Sequence, residues 1–114
     1  MRADERTLSM KLRIHGDSLR MRVTHAEILE LDARGLVEAR VQLTAERALG
    51  FRLTVVPQVT RIGVGFTDDV IDIRLPADAA REWCRSDRVS LRDTLSVGET
   101  ELRIVVEKDF DSHD

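Results

Sequence analysis

Three groups of side chains in this sequence have the types and spacing to do chemistry. The first is carboxylate: Asp68, Asp69 and Asp72 form the densest acidic group in the chain. Paired carboxylates act as acid and base only where a pocket raises one pKa. Here Asp68 and Asp69 fall in a turn pattern, where Asp is favoured for backbone reasons, and Asp72 is placed outward on a strand. The second group is soft or nitrogenous: Cys84, His15, His25 and His113. No two of them stand at a ligand spacing such as His-x3-His or Cys-x2-Cys, so no metal and no cofactor are expected. Cys84 also lacks a His partner and reads as a half-buried thiol rather than a nucleophile. Gly63-Val64-Gly65 lies inside a strand pattern with no following helix, which speaks for close backbone approach rather than a phosphate loop. No catalytic residue is therefore assigned, and the chain is read as a non-enzyme.

The third group is cationic. Lys11, Arg13, Arg20, Arg22, Arg40 and Arg52 occupy the outward positions of alternating segments in the first half of the chain. Arginines on a strand ribbon can contact phosphates and reach base edges. Against this, the chain has no Tyr and 4% aromatic residues, which leaves little for a platform that stacks single-stranded bases. Glu38 interrupts the same row, and a solvated face with charges paired across strands is the plainer interpretation.

These side chains must be carried by elements, and the apolar periodicity defines them. Residues 1–9 are charged and patternless, the mark of a loose arm, and Met10 could be the functional start. KLRIH and LRMRV then alternate with period two on either side of a Gly16-Asp17 turn, as a strand pair does. Thr24-His25-Ala26-Glu27 is a capping box, and Gly35 is placed to stop the helix it opens. VEARVQL and FRLTV alternate again, with Val37, Ala39, Val41, Leu43, Phe51, Leu53 and Val55 inward. After Pro57 the order restarts. RIGVGF, with Ile62, Val64 and Phe66 inward, and VIDIRL flank an Asp68-Asp69 turn, Pro76 introduces a short helix with Ala79, Ala80 and Trp83 on its buried side, and RVSLRDTL and ELRIVVE close the series. Val89, Leu91, Leu102, Ile104 and Val106 are expected to face inward.

A shift of 52 residues superposes the two passes: Asp17 meets Asp69, Arg22 meets Arg74, Leu31 meets Trp83 and Val37 meets Val89. After the loss of one residue, Phe51-Arg52-Leu53 falls on Leu102-Arg103-Ile104. The expected architecture is a single α+β domain, mostly antiparallel and barrel-like, made of two pseudo-symmetric strand–strand–helix–strand–strand repeats. Repeat one covers residues 10–56 and repeat two 57–110, with 111–114 as a tail.

Composition agrees with a globular domain: 42% apolar and 34% charged in 114 residues, with a net charge of −3. Residues 10–56 carry eight Lys/Arg against six Asp/Glu, and residues 57–110 carry eight against eleven. Such an imbalance can mark a one-sided binding face, but one this small more often means nothing beyond solubility. No apolar run is long enough to span a membrane, residues 1–9 lack a signal-peptide core, and a single cysteine fits a reducing compartment. The expected location is the cytoplasm.

Two resemblances rest on particular segments. MKLRIHGDSLRMRVTHAE, the Gly35-Leu36-Val37-Glu38 step, Trp83 and the closing VEKDF resemble a small uncharacterised bacterial domain-of-unknown-function family. That family commonly continues its Phe with Cys-Leu, where this chain has Asp111-Ser112. At the scale of one repeat, IDIRLPADAAREWCRSDRVSLRD and LRMRVTHAEILELDARGLVEARVQL resemble the AbrB-type swapped-hairpin domain, with Thr24 where that pattern usually has Pro. The second resemblance implies a pseudo-dimer within one chain, or a homodimer, and a DNA-binding regulator or antitoxin-type role. The function read from the residues themselves is a non-enzymatic binding or interaction module, with duplex DNA or a protein as partner and no membrane.

Overall fold

The alternating segments form strands where the periodicity places them. A computed structural model describes residues 10–109. The elements follow as β1 (Lys11–His15), β2 (Ser18–Val23), α1 (His25–Arg34), β3 (Leu36–Gln42) and β4 (Ala48–Val56). Then come β5 (Gly63–Thr67), β6 (Val70–Pro76), α2 (Ala77–Arg85), β7 (Ser90–Val97) and β8 (Thr100–Lys108). The expected loose arm, Phe110 and the tail lie outside the described residues.

Local chemistry explains the element ends. The Thr24 hydroxyl accepts the Glu27 N–H at 3.2 Å, while Glu27 accepts the Thr24 N–H at 2.8 Å, a complete capping box. Gly35 closes α1 in the left-handed region at φ 78° and donates its N–H to the Leu31 carbonyl. Pro76 ends β6 and stands at the N-cap of α2. Asp68 and Asp69 both take positive φ (55° and 65°) in the β5–β6 turn, a conformation that Asp tolerates better than most residues.

The strands make two four-stranded sheets. Sheet A has the order β1-β2-β8-β7 and sheet B the order β3-β4-β6-β5. Four of the six ladders are antiparallel hairpins. The other two, β2–β8 and β4–β6, are parallel and join strands from opposite halves of the chain. The expected barrel is not formed: β1, β7, β3 and β5 are sheet edges. The α+β, mostly antiparallel character holds.

One contiguous core takes side chains from both sheets and both helices. Met21, Val23, Leu53, Ile73, Leu75, Ile104 and Val106 come from the four central strands, and Leu31 and Trp83 from the helices. Trp83 is fully buried, and its Nε1 donates to the Val89 carbonyl at 2.9 Å. Several residues expected inward lie beyond the reach of this core. Val41, Leu43 and Phe66 occupy the outer ends of hairpins and are exposed. Val89 precedes β7 and is exposed as well; Leu91 is the residue that turns inward. Alternation assigns a face, but burial also needs something packed against it.

Candidate binding face

Because Leu19, Met21 and Val23 are buried, Arg20 and Arg22 of β2 must point away from the core. The same rule applied along the registers of sheet A assembles its outer face row by row. Lys11, Arg22, Glu107 and Ser90 are cross-strand neighbours in the first row. Arg13, Arg20, Val105 and Arg92 form the second. His15, Ser18, Arg103 and Thr94 form the third. Neighbours in a row stand ~4.8 Å apart at the backbone and rows ~6.6 Å apart. Six cations thus share one surface with a single carboxylate, Glu107, among these twelve positions.

The carboxylate sits low in the sheet. Its side chain is 10% exposed, and its two oxygens are divided between two arginines. Oε1 accepts from Arg20 Nη1 at 2.9 Å, and Oε2 accepts from Arg22 Nε. Burial pushes the Glu107 pKa up, but the hydrogen bonds from Arg22 and Arg20, with their charges, more than offset it and hold it below the ordinary carboxylate range. At the margin of the face, Lys11 Nζ lies 3.1 Å from Asp109 Oδ2. Arg13, Arg92 and Arg103 are exposed and have no ion-pair partner among the described residues.

Sequence reasoning placed six cations on one face, and the structure divides them. Lys11, Arg13, Arg20 and Arg22 are together on sheet A, whereas Arg40 and Arg52 belong to the outer face of sheet B. There Arg52 Nε lies 3.3 Å from Asp72 Oδ1 but is not aligned to donate to it, and that oxygen takes the Thr54 hydroxyl at 2.8 Å. Glu38, Arg52 and Asp72 are cross-strand neighbours, so in this row two carboxylates outnumber one cation. The face of sheet A instead gains Arg92 and Arg103 from the second half of the chain. Their alternation with Leu91 and Leu102 marked them as outward; only the parallel pairing of β2 with β8 shows that they join Arg20 and Arg22.

The other candidate groups take structural roles. Asp69 is held by Arg47, whose Nη2 donates to both carboxylate oxygens at 2.7 Å. Gly63 and Gly65 leave room for the Arg74 guanidinium, which a Cβ on Gly65 would meet at 3.0 Å. The Cys84 thiol is pushed up to about 11 by burial first and by the charge of Asp32 second, so it is no thiolate at neutral pH. His113 lies outside the described residues. Among the described residues no three His, Cys, Asp or Glu side chains gather as a metal site, and no helix is long and apolar enough to cross a membrane.

The class this defines is a two-sheet α+β domain with a basic face on one sheet. Within that class the chain belongs to the family of unknown function DUF7009, whose model matches residues 10–114. No curated protein and no solved structure matches it. The swapped-hairpin resemblance gains no support from these comparisons.

Proposed function

We propose that this protein is a non-enzymatic binding module that takes duplex DNA, through its phosphates, on the outer face of sheet A. The observation that carries this reading is the concentration of Lys11, Arg13, Arg20, Arg22, Arg92 and Arg103 on one sheet face of a chain whose net charge is −3. An acidic protein has no reason of solubility alone to gather its cations in three consecutive cross-strand rows. The twelve positions of those rows include no Phe, Tyr or Trp, which favours a backbone-contacting duplex over a stacked single strand.

The proposed duplication supports the same reading. Met21 on β2 and Ile73 on β6 have equivalent parallel partners, Val106 and Leu53. This register equates Leu53 with Val106 and Val37 with Leu91, two residues further along than sequence alignment puts them. The positions of Lys11, Arg13 and Arg20 are then held in sheet B by Gly63, Gly65 and Asp72. Of the six cations of sheet A only Arg22 keeps a cationic counterpart, Arg74, and Arg92 and Arg103 are matched by Glu38 and Gly50. The two faces differ as expected of a pseudo-dimer with a single working face.

The test is fluorescence anisotropy of the full chain with a labelled duplex. Six phosphate contacts predict a roughly thousandfold loss of affinity between ~50 and ~200 mM salt. The double variant Arg13→Ala/Arg103→Ala is expected to flatten the slope by about 2. Absence of binding at the lower salt, or an unchanged slope in the variant, would overturn the reading.

A further inference from the structure

We propose that Glu107 is a positioning residue of the basic face, holding Arg20 and Arg22 as one pre-set pair of phosphate donors. This rests on the binding reading above. A carboxylate among six cations has an obvious alternative role, which is to dilute their charge. Its placement argues otherwise. The side chain stands on β8, a central strand, and is almost covered. It stands directly across the β2–β8 ladder from Arg22 and accepts from both guanidiniums, so it is already engaged when a phosphate arrives. The two arginines above it are each about a third exposed, so they remain reachable while anchored.

The division of its oxygens gives the anchoring its geometry. Arg20 reaches Oε1 through one Nη1, and Arg22 reaches Oε2 through Nε. A guanidinium carries five N–H groups in a rigid fork. Fixing Nη1 of Arg20 sets the plane of the rest and leaves its other two nitrogens free of the carboxylate. A free arginine side chain must be ordered when it binds, and that ordering opposes affinity. Glu107 moves the ordering into the folded state, before any ligand is present.

The two roles predict opposite signs. If Glu107 only dilutes charge, Glu107→Gln adds net positive charge to the face and tightens binding. If it positions, the same substitution weakens binding although the face becomes more basic. We expect about a five- to tenfold loss of duplex affinity at constant salt, the cost of two unanchored arginines. We also expect Arg20→Ala to cost less in the Glu107→Gln background than in the wild type. Thermal unfolding of each variant checks that the fold is retained. If Glu107→Gln does not fold, Glu107→Asp, charged but one methylene too short to span both guanidiniums, should show the same weakening. Unchanged or tighter binding by the folded variant, with the Arg13→Ala/Arg103→Ala loss intact, overturns the positioning role and leaves the binding reading standing. If Arg13→Ala/Arg103→Ala has no effect, or the wild type does not bind, the binding reading has failed and the positioning role falls with it.

Discussion

Arg22 and Glu107 are direct cross-strand partners in the parallel β2–β8 pair, although 85 residues separate them in the chain. A charge pair of this kind is close to invisible in sequence, since neither residue has a local pattern pointing to the other. It ties the last strand to the second one on the face where the other cations gather. The stability of the fold and the make-up of that face therefore depend on the same ladder.

Trp83 is the largest fully buried side chain and also donates a hydrogen bond to the Val89 carbonyl. Trp83→Ala should lose about 3–5 kcal/mol, read as a lower denaturant midpoint in chemical unfolding. A change below about 1 kcal/mol would mean that α2 is not held to the sheets through this residue.

Both ends of α1 can be tested in the same assay. Thr24→Ala removes the hydroxyl that accepts the Glu27 N–H and should cost about 1 kcal/mol. Gly35→Ala forces a Cβ into the left-handed region at φ 78°, although the nearest atom, Val55 Cβ, is 3.9 Å away. Its expected cost of about 1 kcal/mol is conformational, not steric.

Glu27 is buried, and burial raises its pKa despite hydrogen bonds from Thr24 and from the Met10 backbone. The folded state therefore keeps a proton that the unfolded chain has already released. The stability linked to this group is fully present below the ordinary carboxylate pKa and is lost as pH rises through the raised one. Glu27→Gln should remove that loss. The difference in melting temperature between variant and wild type is expected to move in favour of the variant from pH 4 to pH 7. A difference that stays constant with pH would show that Glu27 does not titrate in this way.

Cys84 should be slow to react. With its pKa at about 11, alkylation by iodoacetamide at neutral pH should run about a hundredfold or more below that of an unhindered thiol. Mass spectrometry over a time course measures it directly. Labelling at the rate of free glutathione would mean that the thiol is neither buried nor deprived of its thiolate form.

The elements themselves were legible because their signals are local. Period two marked the strands, Thr24 with Glu27 marked the start of α1, and Gly35 marked its end. Partnership was not legible. Nothing near Arg20 or Arg103 states that their strands lie side by side in parallel, so alternation alone groups four cations of one face with two, Arg40 and Arg52, of another. Phe66 and Val41 show a different limit. Their alternation is correct, but the hairpins run past the region that the helices and the opposing sheet can cover. Where the core stops is a property of the packed molecule and has no counterpart in a pattern of residue types.

Each sheet takes one hairpin from either half of the chain, joined through a parallel pair at its centre. Neither half can complete a sheet by itself: a chain cut between Val56 and Gly63 would leave four hairpins, each with its inner edge unsatisfied. Two such fragments, however, carry complementary edges, and the pairing that restores one sheet also brings together the strands of the other. The molecule is thus interlaced rather than assembled from a front and a back. Its basic face exists only when both halves are present and correctly woven together.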